Sequence, residues 1–192
     1  MVINLRKGQQ AAIGQLRHLT VGLGWDPAET GHDFDLDATA FMLDKNHKIP
    51  TPNYFVFYSN LNSPDGACTH TGDDPTGGSS DDGDDEEILV DLTKVSPQIL
   101  SIVFAASIHD AEVRGKQNFG QVQNSYIRIC NTDTGEEICR YELREDFSTE
   151  TAVEFGNLIL QDGRWRFEAT GVGHRGGLQS IVEKYYDGGV SA

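Results

Sequence analysis

Eight carboxylates and no basic residue lie between Thr71 and Glu87, in the stretch TGDDPTGGSSDDGDDEE. Two like charges at contact distance repel by about 1 kcal/mol even in water, and by more near a protein surface. A folded chain can crowd carboxylates in this way around a cation, or it can leave the segment solvated as an acidic loop. Three features favour a cation. Asp dominates the run, and Gly72, Gly77, Gly78 and Gly83 let the backbone turn back on a ligand. The run passes directly into Ile88-Leu89-Val90, an apolar stretch that would anchor its end. A second acidic cluster, Asp33-Phe34-Asp35-Leu36-Asp37, lies upstream. In an extended chain its three carboxylates share one face, an arrangement that needs a counter-ion.

The donors on offer are oxygens. No cysteine cluster and only scattered histidines accompany them, which argues against zinc or copper. Calcium takes six to eight oxygens in flexible geometry and suits loops better than the strict octahedron of magnesium. An EF-hand is excluded: Asp33, Asp35 and Asp37 match its first ligand positions, but Ala38 stands where Gly is needed and Asp44 where Glu is expected. The proposed site joins Asp35 and Asp37 to Asp84, Asp85 and Glu86, with Asn60 and the Leu61 carbonyl as neutral ligands. Three cysteines, Cys68, Cys130 and Cys139, lack CxxC spacing and read as free thiols. His109-Asp110 at a strand end reads as a turn cap, with an acid/base pair or a further ligand as the alternatives. Ser107, His109 and Asp110 cannot form a triad from neighbouring positions on one strand. Trp25 and Trp165 read as core or rim aromatics. Gly171 to Gly177 lacks the lysine of a phosphate loop and reads as an irregular connection.

The elements that must position these residues are strands. Val2 to Leu5, Leu19 to Trp25 and the DFDLD segment running on to Leu43 read as strands, as do Tyr54 to Tyr58 and Ile88 to Leu92. Thr93 to Ser101 allows a short helical turn around Pro97. Ile102 to Ile108 is a near-continuous apolar run, expected to be a central strand. Two hairpins follow: Ser125 to Cys130 with Glu137 to Leu143, and Val153 to Leu160 with Arg164 to Ala169. The second turns at Asp162-Gly163, a strong two-residue signal. Gly177 to Tyr186 is the one helical stretch. The pattern predicts an all-β, two-sheet β-sandwich with a calcium-binding acidic loop and a short C-terminal helix, in a single domain over residues 1–192.

Composition agrees. The 192 residues are 38% hydrophobic and 9% aromatic, enough for one core. A formal charge of -15 disfavours nucleic acid and anionic membrane as partners. Mean hydropathy is -0.42, no apolar run reaches the ~20 residues of a membrane helix, and the first residues lack a signal-peptide pattern. A cytoplasmic location is expected.

Six motifs occur in order: Leu23-Gly24-Trp25-Asp26, Asp33-Phe34-Asp35-Leu36-Asp37-Ala38, His70-Thr71-Gly72-Asp73, Asp82-Gly83-Asp84-Asp85-Glu86, Ile108-His109-Asp110-Ala111 and Phe119-Gly120-Gln121-Val122. Ser148-Thr149-Glu150-Thr151-Ala152 also fits. Together they resemble the bacterial TerD family of tellurium-resistance and general stress proteins. The resemblance implies a calcium-binding β-sandwich holding more than one ion, with Asp33, Asp73, Asp74 and Asp82 as candidates for a neighbouring site. The acidic loop departs from the family's GDNxTGEGDGDDE: it is two residues longer, with Asp74 in place of Asn, so the ligands in its first half stay open. The implied role is that of a non-enzymatic stress protein making calcium-dependent contacts with other proteins of the same system. A metal-dependent phosphoesterase is the alternative, disfavoured by the lack of a basic cluster along the sequence. A calcium-dependent membrane-binding module is a third reading.

Overall fold

The computed structural model describes residues 2–26, 34–72, 83–145 and 147–188. In chain order the strands are β1 (Ile3–Leu5), β2 (Gln10–Ala12), β3 (His18–Gly24), β4 (Leu36–Leu43), β5 (Phe55–Val56), β6 (Cys68–His70), β7 (Glu86–Asp91), β8 (Ser101–Ile108), β9 (Tyr126–Asn131), β10 (Glu137–Glu142), β11 (Ala152–Gln161) and β12 (Arg164–His174), followed by helix α1 (Gly177–Tyr185). They form two six-stranded sheets. The first has the order β1-β10-β9-β3-β7-β6 and the second β2-β12-β11-β8-β4-β5. The expected all-β sandwich with one short C-terminal helix is what the chain forms.

Burial follows the pleat. Along β7, Glu86, Ile88 and Val90 are buried while Glu87, Leu89 and Asp91 are half-exposed, the alternation of a sheet packed on one face. Val21, Leu23, Ile88 and Ile127 of the first sheet meet Ala38, Phe104 and Phe155 of the second. Each fully buried Leu, Ile or Phe contributes about 1.5–3 kcal/mol by leaving water. Strands β4 and β8 are buried along their whole length, because helix α1 covers the outer face of their sheet. Its Ile181 and Tyr185, one turn apart, are buried there, and the Tyr185 ring lies 5.4 Å from that of Phe41. Covering on both faces explains why β8 reads as a continuous apolar run rather than an alternation.

The β9–β10 and β11–β12 hairpins form as expected. At the second, Asp162 and Gly163 both have positive φ, 50° and 72°, as a type I′ turn requires. Four expectations are corrected. β4 begins at Leu36, so Asp35 precedes the strand instead of sharing its face with Asp37 in a regular pleat. Tyr54 closes a 3₁₀ turn opened by Pro52, and only Phe55–Val56 pairs as strand. Phe57 and Asn60 then bond each other in a tight turn, 3.1 and 2.9 Å. Residues 93–101 hold hydrogen-bonded turns and no helix. Gly171 to His174 continues β12, its glycines letting Tyr141 and Phe147 pack directly against the backbone. The short strands β2 and β6 give no periodic signal in three residues each.

Candidate metal centre at the strand ends

Four buried carboxylates gather where β4 and β7 begin: Asp35, Asp37, Asp84 and Glu86 are 5%, 6%, 6% and 2% exposed. The two segments meet at Ala38. Glu86 reaches across from the first sheet, and its Oε2 accepts a hydrogen bond from the Ala38 backbone N–H. His70, on β6, sets its Nε2 3.1 Å from the Ala38 carbonyl and 3.6 Å from Glu86 Oε2. Both polar groups of one residue on β4 are therefore held by side chains from the opposite sheet. Nearly full burial makes these hydrogen bonds costly to break.

The carboxylates leave this junction in different directions. Glu86 pairs in register with Leu23 and points between the sheets. Asp37 follows the alternation of β4 to the face carrying Phe41, where His109 Nδ1 lies 3.2 Å from its Oδ2. Asp35 accepts the Arg114 guanidinium at 2.9 Å, and its carbonyl takes the His109 N–H at 2.8 Å. Asp84 folds over the outer face of the first sheet. There Arg128 donates to both of its oxygens, Nε at 2.8 Å to each, and the Tyr126 hydroxyl donates at 2.9 Å. Room for that carboxylate exists because Gly22 has no side chain; a Cβ there would collide with it. Asp85 accepts the Trp25 backbone N–H at 2.9 Å, which pins the end of the acidic run to β3.

The local charges respond to one another. Burial would lower the Arg128 pKa, but the hydrogen bonds and negative charge of Asp84 outweigh it, so the guanidinium is held more firmly protonated than usual. Burial and then the nearby Asp84 charge push the Tyr126 phenol up. Tyr126 is therefore a donor here and not a base.

Asp33, Asp73, Asp74 and Asp82 lie outside the described residues. Among the described residues, no three His, Cys, Asp or Glu side chains form a group that could hold a metal ion. The chemistry of the donors nevertheless fits a hard cation, since Asp35, Asp37 and Glu86 are buried oxygen donors at the mouths of the two acidic segments. The two neutral ligands expected from sequence serve the backbone. The Leu61 carbonyl accepts the His70 N–H at 2.8 Å. The Asn60 amide donates to the carbonyls of Asn53 and Phe55 at 3.1 and 2.6 Å, tying down the 53–60 turn.

Sequence reasoning missed His70, Arg114 and Arg128 as the partners of these carboxylates. From sequence, His109 reads as part of a turn cap. The turn is real, with Asp110 at φ 51° and its carbonyl accepting the N–H groups of Val113 and Arg114 at 2.9 Å each, but the imidazole faces Asp37. An apolar strand closing on His, beside another strand opening on Asp, was the available signal. Trp25 is buried as expected and Trp165 packs partly buried against the core. All three cysteines are free and buried; burial, then the Glu137 and Cys130 charges, push the Cys139 thiol up to about 12, so it is inert as a nucleophile.

A TerD domain profile matches residues 1–185. The chain is 45% identical over 190 residues to the tellurium resistance protein TerD of Serratia marcescens, covering 96% of this chain and 97% of that protein. It is 46% identical over 191 residues to general stress protein 16U of Bacillus subtilis, with 96% and 97% covered. The fold is shared with the crystal structure of a Streptomyces coelicolor homologue of the telluride resistance protein TerD, at a TM-score of 0.70 and 22% identity, over 87% of this chain and 95% of the other. By domain match, by identity along nearly its whole length and by fold, the chain belongs to the TerD family of tellurium-resistance and stress-response proteins.

Proposed function

We propose that this is a non-enzymatic, cytoplasmic stress-response protein that binds calcium at the junction of its two acidic segments and uses the bound state to contact other proteins of the same system. The observation that carries the reading is the double clamp on Ala38 by Glu86 and His70. It holds the mouths of two carboxylate-rich segments together although 48 residues of sequence separate its partners. Asp35, Asp37 and Glu86 would supply oxygens, with Asp85, Asp33, Asp73, Asp74 and Asp82 as candidates to complete the ligand sets. Calcium there would supply positive charge and order to the loops. Asp84, held by Arg128, shapes the end of the acidic loop.

Nothing in this arrangement calls for bond-breaking chemistry. Asp37 and His109 face each other, and the hydroxyl-bearing residue across the strand pair from Asp37, Ser107, is buried at 4% exposure. An ion at 100 times its dissociation constant stabilises the folded state by about 2.7 kcal/mol per site, enough to make the stability of the fold follow calcium supply. Calorimetric titration of chelator-treated protein with calcium and magnesium tests the reading. More than one calcium should bind, in preference to magnesium, and Asp37→Ala should remove or weaken at least one of them. Binding that is indifferent to Asp37→Ala and Glu86→Gln alike would overturn it.

A further inference from the structure

Fifteen Lys and Arg residues are scattered along a chain of net charge -15, and no stretch of sequence collects them. Folding does. The parallel pairing of β1 with β10 sets Asn4 beside Arg140 and Leu5 beside Tyr141, which brings Arg6 and Lys7, on the turn after β1, to the end of β10 where Arg140 and Arg144 stand. These four cations line a cleft of about 580 Å³. Two carboxylates, Glu142 and Glu145, also line it, so the described lining residues are net positive on a strongly negative molecule.

The cations differ in how they are held. Arg140 is fixed: its Nε and Nη2 donate to the two Glu137 oxygens at 2.9 and 3.0 Å, and its guanidinium lies 4.0 Å from the centre of the Tyr126 ring. Arg144 is exposed and hydrogen-bonded to Glu142. Lys7 Nζ donates to the Gly171 carbonyl at 2.8 Å, which leaves its charge uncompensated. Among the described residues neither Lys7 nor Arg6 has a carboxylate partner. The Glu145 carboxylate is taken up by the Tyr141 hydroxyl at 2.8 Å and the Arg144 N–H at 3.1 Å.

We propose that this cleft is a binding site for a small polyphosphate-bearing anion. Its volume is that of a small-molecule site, typically 300–1,000 Å³. Two under-compensated cations suit phosphate oxygens: Arg6 offers paired N–H donors and Lys7 a point charge, while Arg140, with Nε and Nη2 taken by Glu137, contributes positive field. A long polyanion would also meet the negative field of the rest of the surface, whereas a compact one is confined to the positive pocket. Asn4, Tyr141 and the glutamates offer hydrogen-bonding groups to the uncharged part of such a ligand.

The test is calorimetric titration at low salt of the full chain, kept metal-free with chelator, using inorganic triphosphate and ATP as probes. One-to-one binding is expected, weakening as salt rises. The Arg6→Ala/Lys7→Ala double variant should lose about tenfold or more in affinity, the worth of a lost charged hydrogen bond. Both residues are exposed, so its melting temperature should match the parent's; Arg144→Gln gives an independent second variant. A tighter grip on ATP than on triphosphate places the rest of the nucleotide in the cleft as well. Absence of binding to both probes, unchanged affinity in both variants, or tighter binding of a hexaglutamate peptide than of triphosphate would overturn the proposal. With calcium absent throughout, these outcomes leave the calcium reading untouched.

Discussion

Asp84 shows how one residue's surroundings decide what it can do. Its side chain is 3% exposed, and that of its partner Arg128 is 19% exposed. A buried ion pair of this kind is weak evidence for net stability, but breaking it by removing one member strands a charge. Arg128→Ala should therefore lower stability by about 3–5 kcal/mol, read from denaturant melts. Gly22→Ala, which drives a methyl group into the Asp84 carboxylate, should cost about 1–3 kcal/mol. Losses below about 1 kcal/mol in both variants would mean that Asp84 readily finds another place, and that the end of the acidic loop is not anchored on β3 and β9. The DGDDE motif was legible in the sequence as an acidic site. What was not legible is that its neighbours Asp84 and Glu86 point to opposite sides of the first sheet, because that depends on where β7 starts and on the space above Gly22.

At the scale of elements, helix α1 is tied to the second sheet by a buried polar cluster. Glu154 on β11 is 3% exposed and accepts from His174 Nε2 at 2.7 Å, Lys184 Nζ at 2.8 Å and the Tyr185 hydroxyl at 2.8 Å. Burial alone would raise its pKa, but these three hydrogen bonds outweigh burial and hold the carboxyl below its ordinary value of 4.5. A carboxylate whose pKa is depressed on folding adds stability above its unfolded pKa and loses it as pH falls through the folded value. Melting temperature should thus fall steeply below about pH 4.5 in the parent and less steeply in Glu154→Gln. Near neutrality the same variant should be less stable by about 3 kcal/mol, the low end for a broken buried pair, since Lys184 is 43% exposed. Parallel acid limbs in the two proteins would remove Glu154 as the lock on α1. Nothing local in the sequence marks this cluster, whose other members lie 20 to 31 residues from Glu154. The β9–β10 and β11–β12 hairpins, by contrast, were readable because turn chemistry and alternation act over a few residues. The FVFY run after Tyr54 misled because β-propensity competes there with the 3₁₀ turn that Pro52 starts and the turn that Asn60 closes.

The whole molecule sorts its charges across the width of a sheet. Acidic residues collect around the starts of β4 and β7, while four basic residues line the cleft beside β1 at the same end of the first sheet, with β3, β9 and β10 between them. The acidic grouping joins two runs already contiguous in sequence, whereas sheet order alone produces the basic one, which is why composition revealed only the net charge. The central claim is that one class of ligand, calcium, orders both acidic segments together across the gap between the sheets. Backbone hydrogen exchange with and without calcium tests it most directly. The account predicts that added calcium slows exchange at residues 34–38 and 83–87 over the same concentration range, and leaves the β9–β10 hairpin unchanged. Slowing confined to one segment, or to neither, would contradict it.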